Sequence, residues 1–288
     1  MKNFSSIFGI GFFSLLVILS VFAPFISKNP PNRQFNPSIC ANLKPFSVVW
    51  EDEKGGDVFL EKKEGLKKVI FPFGTDGFGR CVFSRVLYGG RISLQIGIFS
   101  LIITIFLGTS IGITSGYFGK AVDIILMRFV DALLAFPRLF LLITLAAVME
   151  RKLSFFGIVF ILAIFSWMEV SRLVRGQVLS LKERDFVLSA KAMGASNLRI
   201  IFRHILPHLK GILLVDSTLR IAGLILAEAS LSFLGLGVQP PDPSWGNIIS
   251  DGKDVLFDAW WISFFPGLFL SLTIFSLYLI GESYIDRK

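Results

Sequence analysis

The sequence has few of the groups from which enzymes and metal proteins build their sites. Only two cysteines and two histidines occur in 288 residues. His204 and His208 lie four residues apart, a spacing that zinc proteases use. Ile205 stands where those enzymes place a Glu, and Pro207 interrupts the helix, so we predict no bound metal.

The sequence also contains no recognisable site for nucleotide binding or for hydrolysis. No Gly-x-x-x-x-Gly-Lys-Ser/Thr phosphate loop occurs in the sequence, and no nucleophile–base set is legible. We therefore predict no catalytic residues and no cofactor bound by this chain. If ATP drives the protein, a partner must hydrolyse it.

Apolar residues, in contrast, are abundant: 53% of the chain is hydrophobic, mean hydropathy is +0.69 and 31 residues are Phe. Each long apolar run is close to the ~20 residues that cross a ~30 Å hydrocarbon core. The runs are about 7–27, 91–117, 122–149, 155–171, 211–236 and 262–281. They predict an all-α integral membrane protein with about six transmembrane helices and no separate soluble domain.

The same runs divide the chain. We predict an N-terminal transmembrane helix at 1–27, an extracytoplasmic insertion and collar at 28–90, and a core transmembrane domain at 91–284. The first run could be a cleavable signal peptide, but it is long, and Pro24 after Ala23 suits signal-peptidase cleavage poorly. Residues 28–74 are rich in Pro, Asn, Lys and Glu, which indicates an irregular surface loop or a small cap.

Net charge is +8, and the position of the charge identifies the partner better than its sign does. A basic cluster lies between two apolar runs, at Arg172, Arg175, Lys182, Arg184, Lys191, Arg199, Arg203 and Lys210. This is the positive-inside pattern of a multi-pass protein of a plasma membrane, and it places both termini in the cytoplasm. Membrane lipid, and not nucleic acid, is the expected partner. With this orientation Cys40 and Cys81 face outward, and the sequence is compatible either with a disulfide between them or with two free thiols.

Residues 176–207 are polar, basic and amphipathic, unlike the runs on either side. Apolar residues recur at helical spacing twice, on either side of Gly194, and Ser196 or Asn197 can cap the second helix. Two short helices at an angle predict a docking surface for another protein. The candidate contact residues are Phe186, Val187, Ala190, Lys191, Met193, Gly194 and Ala195.

This segment resembles the cytoplasmic coupling loop of permease subunits of bacterial ABC importers. Ala190, Gly194, Leu206 and Pro207 match its pattern, whereas Leu188 and Ser189 replace the common Glu and Ala. Three more segments, 74–94, 127–143 and 226–252, resemble the dipeptide, oligopeptide and nickel branch, with Cys81 in place of the usual Asp.

The resemblance implies a permease that imports di- or oligopeptides across the inner membrane by alternating access, or else nickel or a metal chelate. It implies four kinds of contact: a second permease subunit in a heterodimer, two cytoplasmic ATPase subunits that bind ATP and Mg, an extracytoplasmic substrate-binding protein, and lipid. A stand-alone carrier or channel and a membrane-embedded hydrolase are the rival hypotheses. The docking surface argues against both.

Several residues in the matching segments have two interpretations. Asp76, Arg80 and Arg85 predict an outer collar of paired charges, or alternatively a solvated entry into a helix. Glu228 lies in an apolar run and is either a pathway residue or a hydrogen-bonded packing residue. Gly108, Gly112 and Gly116, four apart, predict a close helix–helix contact. Pro137 predicts a kink. The tryptophans at 245, 260 and 261 predict interfacial anchors.

Overall fold

The protein is described here by a computed structural model that covers residues 2–52, 58–61, 66–148 and 153–285. Helices dominate these ranges. They are α1 Lys2–Val21, α2 Ala23–Ile26, α3 Pro37–Cys40, α4 Val82–Phe118, α5 Lys120–Leu134, α6 Arg138–Val148, α7 Phe155–Ile164, α8 Trp167–Leu181, α9 Asp185–Ala192, α10 Asn197–Ile200, α11 Leu206–Phe233, α12 Trp245–Asp251 and α13 Trp261–Ile285.

Helix α4 is the centre of the fold. Its 37 residues make it about 55 Å long, and it contacts α1, α5, α7, α8, α11, α12 and α13. It ends where Gly119 takes a φ of +61°, a conformation that suits glycine. Two apolar cores lie beside it. One joins it to α11, α12 and α13, and the other joins it to α7 and α11.

The three glycines of α4 face α8, as their spacing predicts. A Cβ added at Gly108 would lie 2.5 Å from Val170 Cβ, and one at Gly112 would lie 2.6 Å from the Ser171 carbonyl oxygen. A Cβ at Gly116 would lie 2.9 Å from Val178 Cβ. The backbones therefore approach more closely than any larger residue allows.

All six predicted apolar runs fall on helices, but not all of these are straight spans. In the described ranges, α4 and Trp261–Ser283 of α13 are long and apolar enough to cross a membrane. The pairs α5/α6 and α7/α8 bend by 81° and 42°, and each can be one broken span. The first break lies just before Arg138, at Pro137, as predicted. The apolar part of α1 is shorter, and α11 carries charges, so the number of six crossings stays a prediction.

The insertion is more regular than its composition indicates. Strands β1 Ser47–Asp52, β2 Val58–Phe59 and β3 Leu66–Phe71 form an antiparallel sheet in the order β2-β1-β3. Phe35 and Phe71 pack with Val49 beneath it, and Cys40 and Cys81 lie in the same small core. Both thiols are free and buried, so no disulfide is present. Burial, and secondarily the charge of Glu51, raise the pKa of the Cys40 thiol to about 11.

The interpretation of the tryptophans as interfacial anchors is wrong for two of the three. Trp245 and Trp261 are buried, and only Trp260 is exposed. The indole N–H of Trp245 donates to the Val86 carbonyl at 3.0 Å, and that of Trp261 to the Thr75 carbonyl at 3.1 Å. These side chains therefore fix the ends of α12 and α13 against the start of α4 and the segment before it.

Candidate functional site

The predicted docking surface corresponds to residues 184–205, which we call the docking segment. Helix α9 begins after Arg184 and carries Asp185 in its first turn, where a carboxylate favours the helix dipole. It ends in a Schellman motif: the N–H of Ala195 donates to the Ala190 carbonyl, and the N–H of Gly194 to that of Lys191. Gly194 takes a φ of +79°, so the turn requires glycine.

The second half of the docking segment joins directly to a long helix. Ser196 caps α10 by accepting the N–H of Arg199, as predicted. A π-helical turn at Ile201–Ile205 then leads without a break into α11. Such turns are uncommon and are often found at functional sites. The chain from 197 to 233 is thus one helical rod whose first turns belong to the docking segment.

Burial divides the predicted contact residues into two groups. Val187 and Ala190 are buried with Ile200 and Ile205 against Val178 of α8, so they hold the segment in place and face no partner. The side chains that face outward are mostly apolar or cationic. They include Phe186, Leu188, Lys191, Met193, Leu198, Arg199 and Phe202, with Met193 82% exposed, and among them stand the exposed carboxylate of Asp185 and the polar Ser189, Ser196 and Asn197.

Two contacts link the docking segment to the helices around it, and a third, from Lys182 just before the segment, reaches α4. The hydroxyl of Tyr117, at the end of α4, donates to Asn197 Oδ1 at 2.9 Å. Lys182 Nζ donates to the Gly116 carbonyl at 3.1 Å. The ring of Phe186 stacks on His208 of α11, with the centroids 4.7 Å apart. The docking segment is thus in direct contact with both α4 and α11.

Asp76, Arg80 and Arg85 come together at the opposite end of α4. Asp76 Oδ2 accepts from Arg80 Nε at 2.6 Å and lies 3.6 Å from Arg85 Nε. All three side chains are at most 8% exposed, which excludes the alternative of a solvated helix entry.

A fourth residue completes this cluster, and the sequence analysis missed it. Asp251 Oδ2 lies 2.8 Å from Arg80 Nη2 and 3.2 Å from Arg85 Nη2, so two carboxylates face two guanidinium groups. Burial raises the pKa of Asp251, while the charges of Arg85 and Arg80 act in the opposite direction. The only sequence signal was its position inside the matching stretch 226–252. We call these four residues the ion-pair cluster.

Glu228 is completely buried and its carboxylate has a partner at each oxygen. Ser93 Oγ of α4 donates to Oε2 at 2.8 Å, and Ser232 Oγ donates to Oε1 at 2.7 Å. Ser232 Oγ in turn accepts the N–H of Val238 at 3.0 Å. The arrangement favours the packing interpretation, in which Glu228 ties α11 to α4. No cluster of metal-ligating side chains occurs among the described residues.

Comparison with known proteins finds a matching family and several relatives of this chain. The model of the family "Binding-protein-dependent transport system inner membrane component" matches residues 108–288. The dipeptide transport system permease protein DppC of Alkalihalophilus pseudofirmus is 34% identical over 99% of this chain and 85% of its own length. The oligopeptide transport system permease protein OppC of Haemophilus influenzae is 41% identical over 74% of this chain and 68% of its own.

A solved structure shows the same fold. A chain of the MetNI methionine ABC transporter in an inward-facing conformation aligns with a TM-score of 0.56, at 17% identity, over 70% of this chain and 93% of that one. Fold and motifs together define an all-α, multi-pass membrane protein of the transporter permease class. The chain belongs to the family of binding-protein-dependent transport system inner membrane components, as its motifs predicted.

Proposed function

We propose that this chain is the permease subunit of an ATP-driven importer of di- or oligopeptides in a bacterial inner membrane, with both termini in the cytoplasm. It pairs with a second permease subunit, receives cargo from an extracytoplasmic binding protein and rests on two ATPase subunits that bind ATP and Mg. The choice of cargo is supported by the names of two relatives, a dipeptide and an oligopeptide transport system permease protein.

The docking segment is the observation that carries the proposal. Its buried residues anchor it to the core, while Phe186, Met193 and Leu198 are exposed at one end of the protein. Exposed apolar side chains rimmed by cations are typical of a protein interface. ATP-driven closure of the ATPase dimer then shifts this segment, and the membrane helices alternate between two states. The ATPase can drive that change only by binding one state more tightly.

Replacement of Gly194 by valine tests the docking role. At a φ of +79° an ordinary L-residue is strained by about 1–2 kcal/mol, and a β-branched one by more, which is a factor of about 5–30 in an equilibrium. We expect ATP-dependent uptake to fall by about that factor at unchanged membrane insertion. Among the described residues, nothing beyond the two chain neighbours lies within 4 Å of the added Cβ, so the change causes no clash with the rest of the fold.

Gly176→Val is the matched control. Gly176 lies in the interior of α8 with helical backbone, and its added Cβ also meets nothing within 4 Å. We expect this variant to transport as the wild type does. Wild-type uptake by Gly194→Val at equal expression would count against the docking role.

Uptake of labelled dipeptides, oligopeptides and nickel in cells with and without this chain tests the cargo. Loss of peptide uptake, restored by the intact gene, is the expected result. Unchanged peptide uptake with lost nickel uptake would instead favour a metal importer of the same branch.

A further inference from the structure

A basic cleft lies where the insertion meets the membrane helices. It has a volume of about 270 Å³ and is bounded by the segment after α2, by strands β1 and β3, and by the first turn of α4. Lys28, Arg33, Lys67 and Lys68 line it together with one carboxylate, Glu51. Nothing in the proposed transport mechanism uses these residues.

The charges in the cleft do not balance. Glu51 is buried and its carboxylate is occupied by an ion pair with Arg33. Among the described residues, no carboxylate forms an ion pair with Lys28, Lys67 or Lys68.

Two further features make the cleft suitable for an anion. Ser84, in the first turn of α4, is buried at the inner wall, and the N-terminus of this 37-residue helix adds positive potential there. Ser27 Oγ and Ser84 Oγ lie within hydrogen-bond distance of each other and give the wall polar groups that can rotate toward a ligand.

The position of the cleft identifies the source of the anion. It adjoins the end of α2 and the N-terminus of α4, about 50 Å along that helix from Tyr117, which contacts the docking segment. That distance is comparable to the ~40–45 Å of a whole bilayer, so a docking segment at the cytoplasmic surface, as in the proposed function, puts the cleft near the opposite membrane surface. Apolar side chains project beside it: Phe25 is 83% exposed, and Ile26 and Ile70 are 39% and 46% exposed.

We propose that this cleft binds the phosphate group of an anionic phospholipid headgroup. Lys28, Lys67 and Lys68 supply the cationic contacts, and Phe25, Ile26 and Ile70 lie against the start of the acyl chains. An exposed lysine–phosphate ion pair contributes up to roughly a factor of five in affinity, so loss of all three weakens binding by up to about 100-fold.

The test is a binding titration of the full chain in neutral detergent by calorimetry. The probes are dihexanoyl phosphatidylglycerol, dihexanoyl phosphatidylcholine and inorganic phosphate. The variant K28Q/K67Q/K68Q removes the three ammonium groups. The control K44Q/K210Q/K253Q removes the same charge at three exposed lysines outside the cleft.

We expect phosphatidylglycerol to bind wild type and control at least ten times more tightly than phosphatidylcholine, and the cleft variant to lose this preference. K28R/K67R/K68R keeps the charge and must keep the binding, which covers the case in which the glutamine variant misfolds. Inorganic phosphate that competes at the lipid's own affinity would support the phosphate site but assign it a soluble ligand. Equal affinity for both lipids, or unchanged binding by the cleft variant, would overturn the proposal. Because the assay measures no uptake, its outcome is independent of the proposed transport function.

Discussion

Replacement of Gly112 by alanine tests the contact on which the packing of α4 against α8 depends. The added Cβ would lie 2.6 Å from the Ser171 carbonyl oxygen and 2.7 Å from Val174 Cβ. Ordinary contacts begin near 3.4 Å, so α8 must move away by roughly 0.8 Å. The two nearest groups are a backbone carbonyl and a β-branched side chain, and neither can rotate aside.

The expected change in the free energy of unfolding of Gly112→Ala follows from two opposing effects. Alanine is favoured over glycine in a helix interior by about 1 kcal/mol. Extra volume in a close-packed contact costs about 1–3 kcal/mol. Gly176→Ala has the first effect without the second, because Gly176 lies in α8 with open space around its Cβ position. The difference in the free energy of unfolding between the two variants therefore measures the cost of crowding at the α4–α8 contact, about 1–3 kcal/mol.

Thermal unfolding of the purified chain in detergent measures this difference. One kcal/mol corresponds to about 2–4 °C for a chain of 150–250 residues, so we expect Gly112→Ala to unfold several degrees below Gly176→Ala. Tryptophan fluorescence is a suitable signal, since Trp167 lies at the start of α8. Equal unfolding midpoints for the two variants would refute the reasoning and would mean that α4 and α8 can move apart without loss of stability.

Three more predictions concern buried polar groups. Glu228→Gln should keep near-wild-type thermal stability, because an amide still fits between its two serines, whereas Glu228→Ala should lose about 1–3 kcal/mol; equal losses would contradict the packing role. Asp76→Asn should destabilise the protein more than Asp251→Asn in the same assay, since their side chains are 1% and 30% exposed; the reverse order would show that Asp251 dominates the cluster. Because burial raises the pKa of Cys40 from 9.0 to about 11, the unfolded chain loses this proton first as pH rises, and stability should fall between about pH 9 and 11. The free energy of unfolding of Cys40→Ala, measured by denaturant titration, should lack this part of the decrease over the same pH range. A pH dependence parallel to that of the wild type would contradict the prediction.

The features that could be predicted from sequence are those set by local chemistry. The positive φ of Gly194, the cap at Ser196 and the break before Arg138 each depend on one residue and its neighbours. The glycine spacing in α4 predicted a close contact, although not that α8 forms it.

The remaining features depend on residues far apart in the chain. Asp251 meets Arg80 across 171 positions, which no local pattern records. Val187 and Ala190 lie on the stripe that was expected to face a partner, yet tertiary packing turns them inward. The strands of the insertion lie in a polar, lysine-rich stretch, where hydrophobic alternation is too weak to identify them.

Two hydrogen bonds join α4 to the helical rod that runs from 197 to 233. The rod is hydrogen-bonded to α4 at one end by Tyr117 and Asn197 of α10, and farther along by Ser93 and Glu228 of α11. The first is a single exposed neutral hydrogen bond, worth about 0.5–1.5 kcal/mol, whereas the second is buried and involves a carboxylate. We therefore expect a force that shifts the docking segment to break the Tyr117 contact first and to leave α4 and α11 joined near Glu228. We expect the helices then to pivot about the buried hydrogen bond of Glu228, with the bend at the π-helical turn Ile201–Ile205, since π-helical turns interrupt the regular α-helical hydrogen bonding.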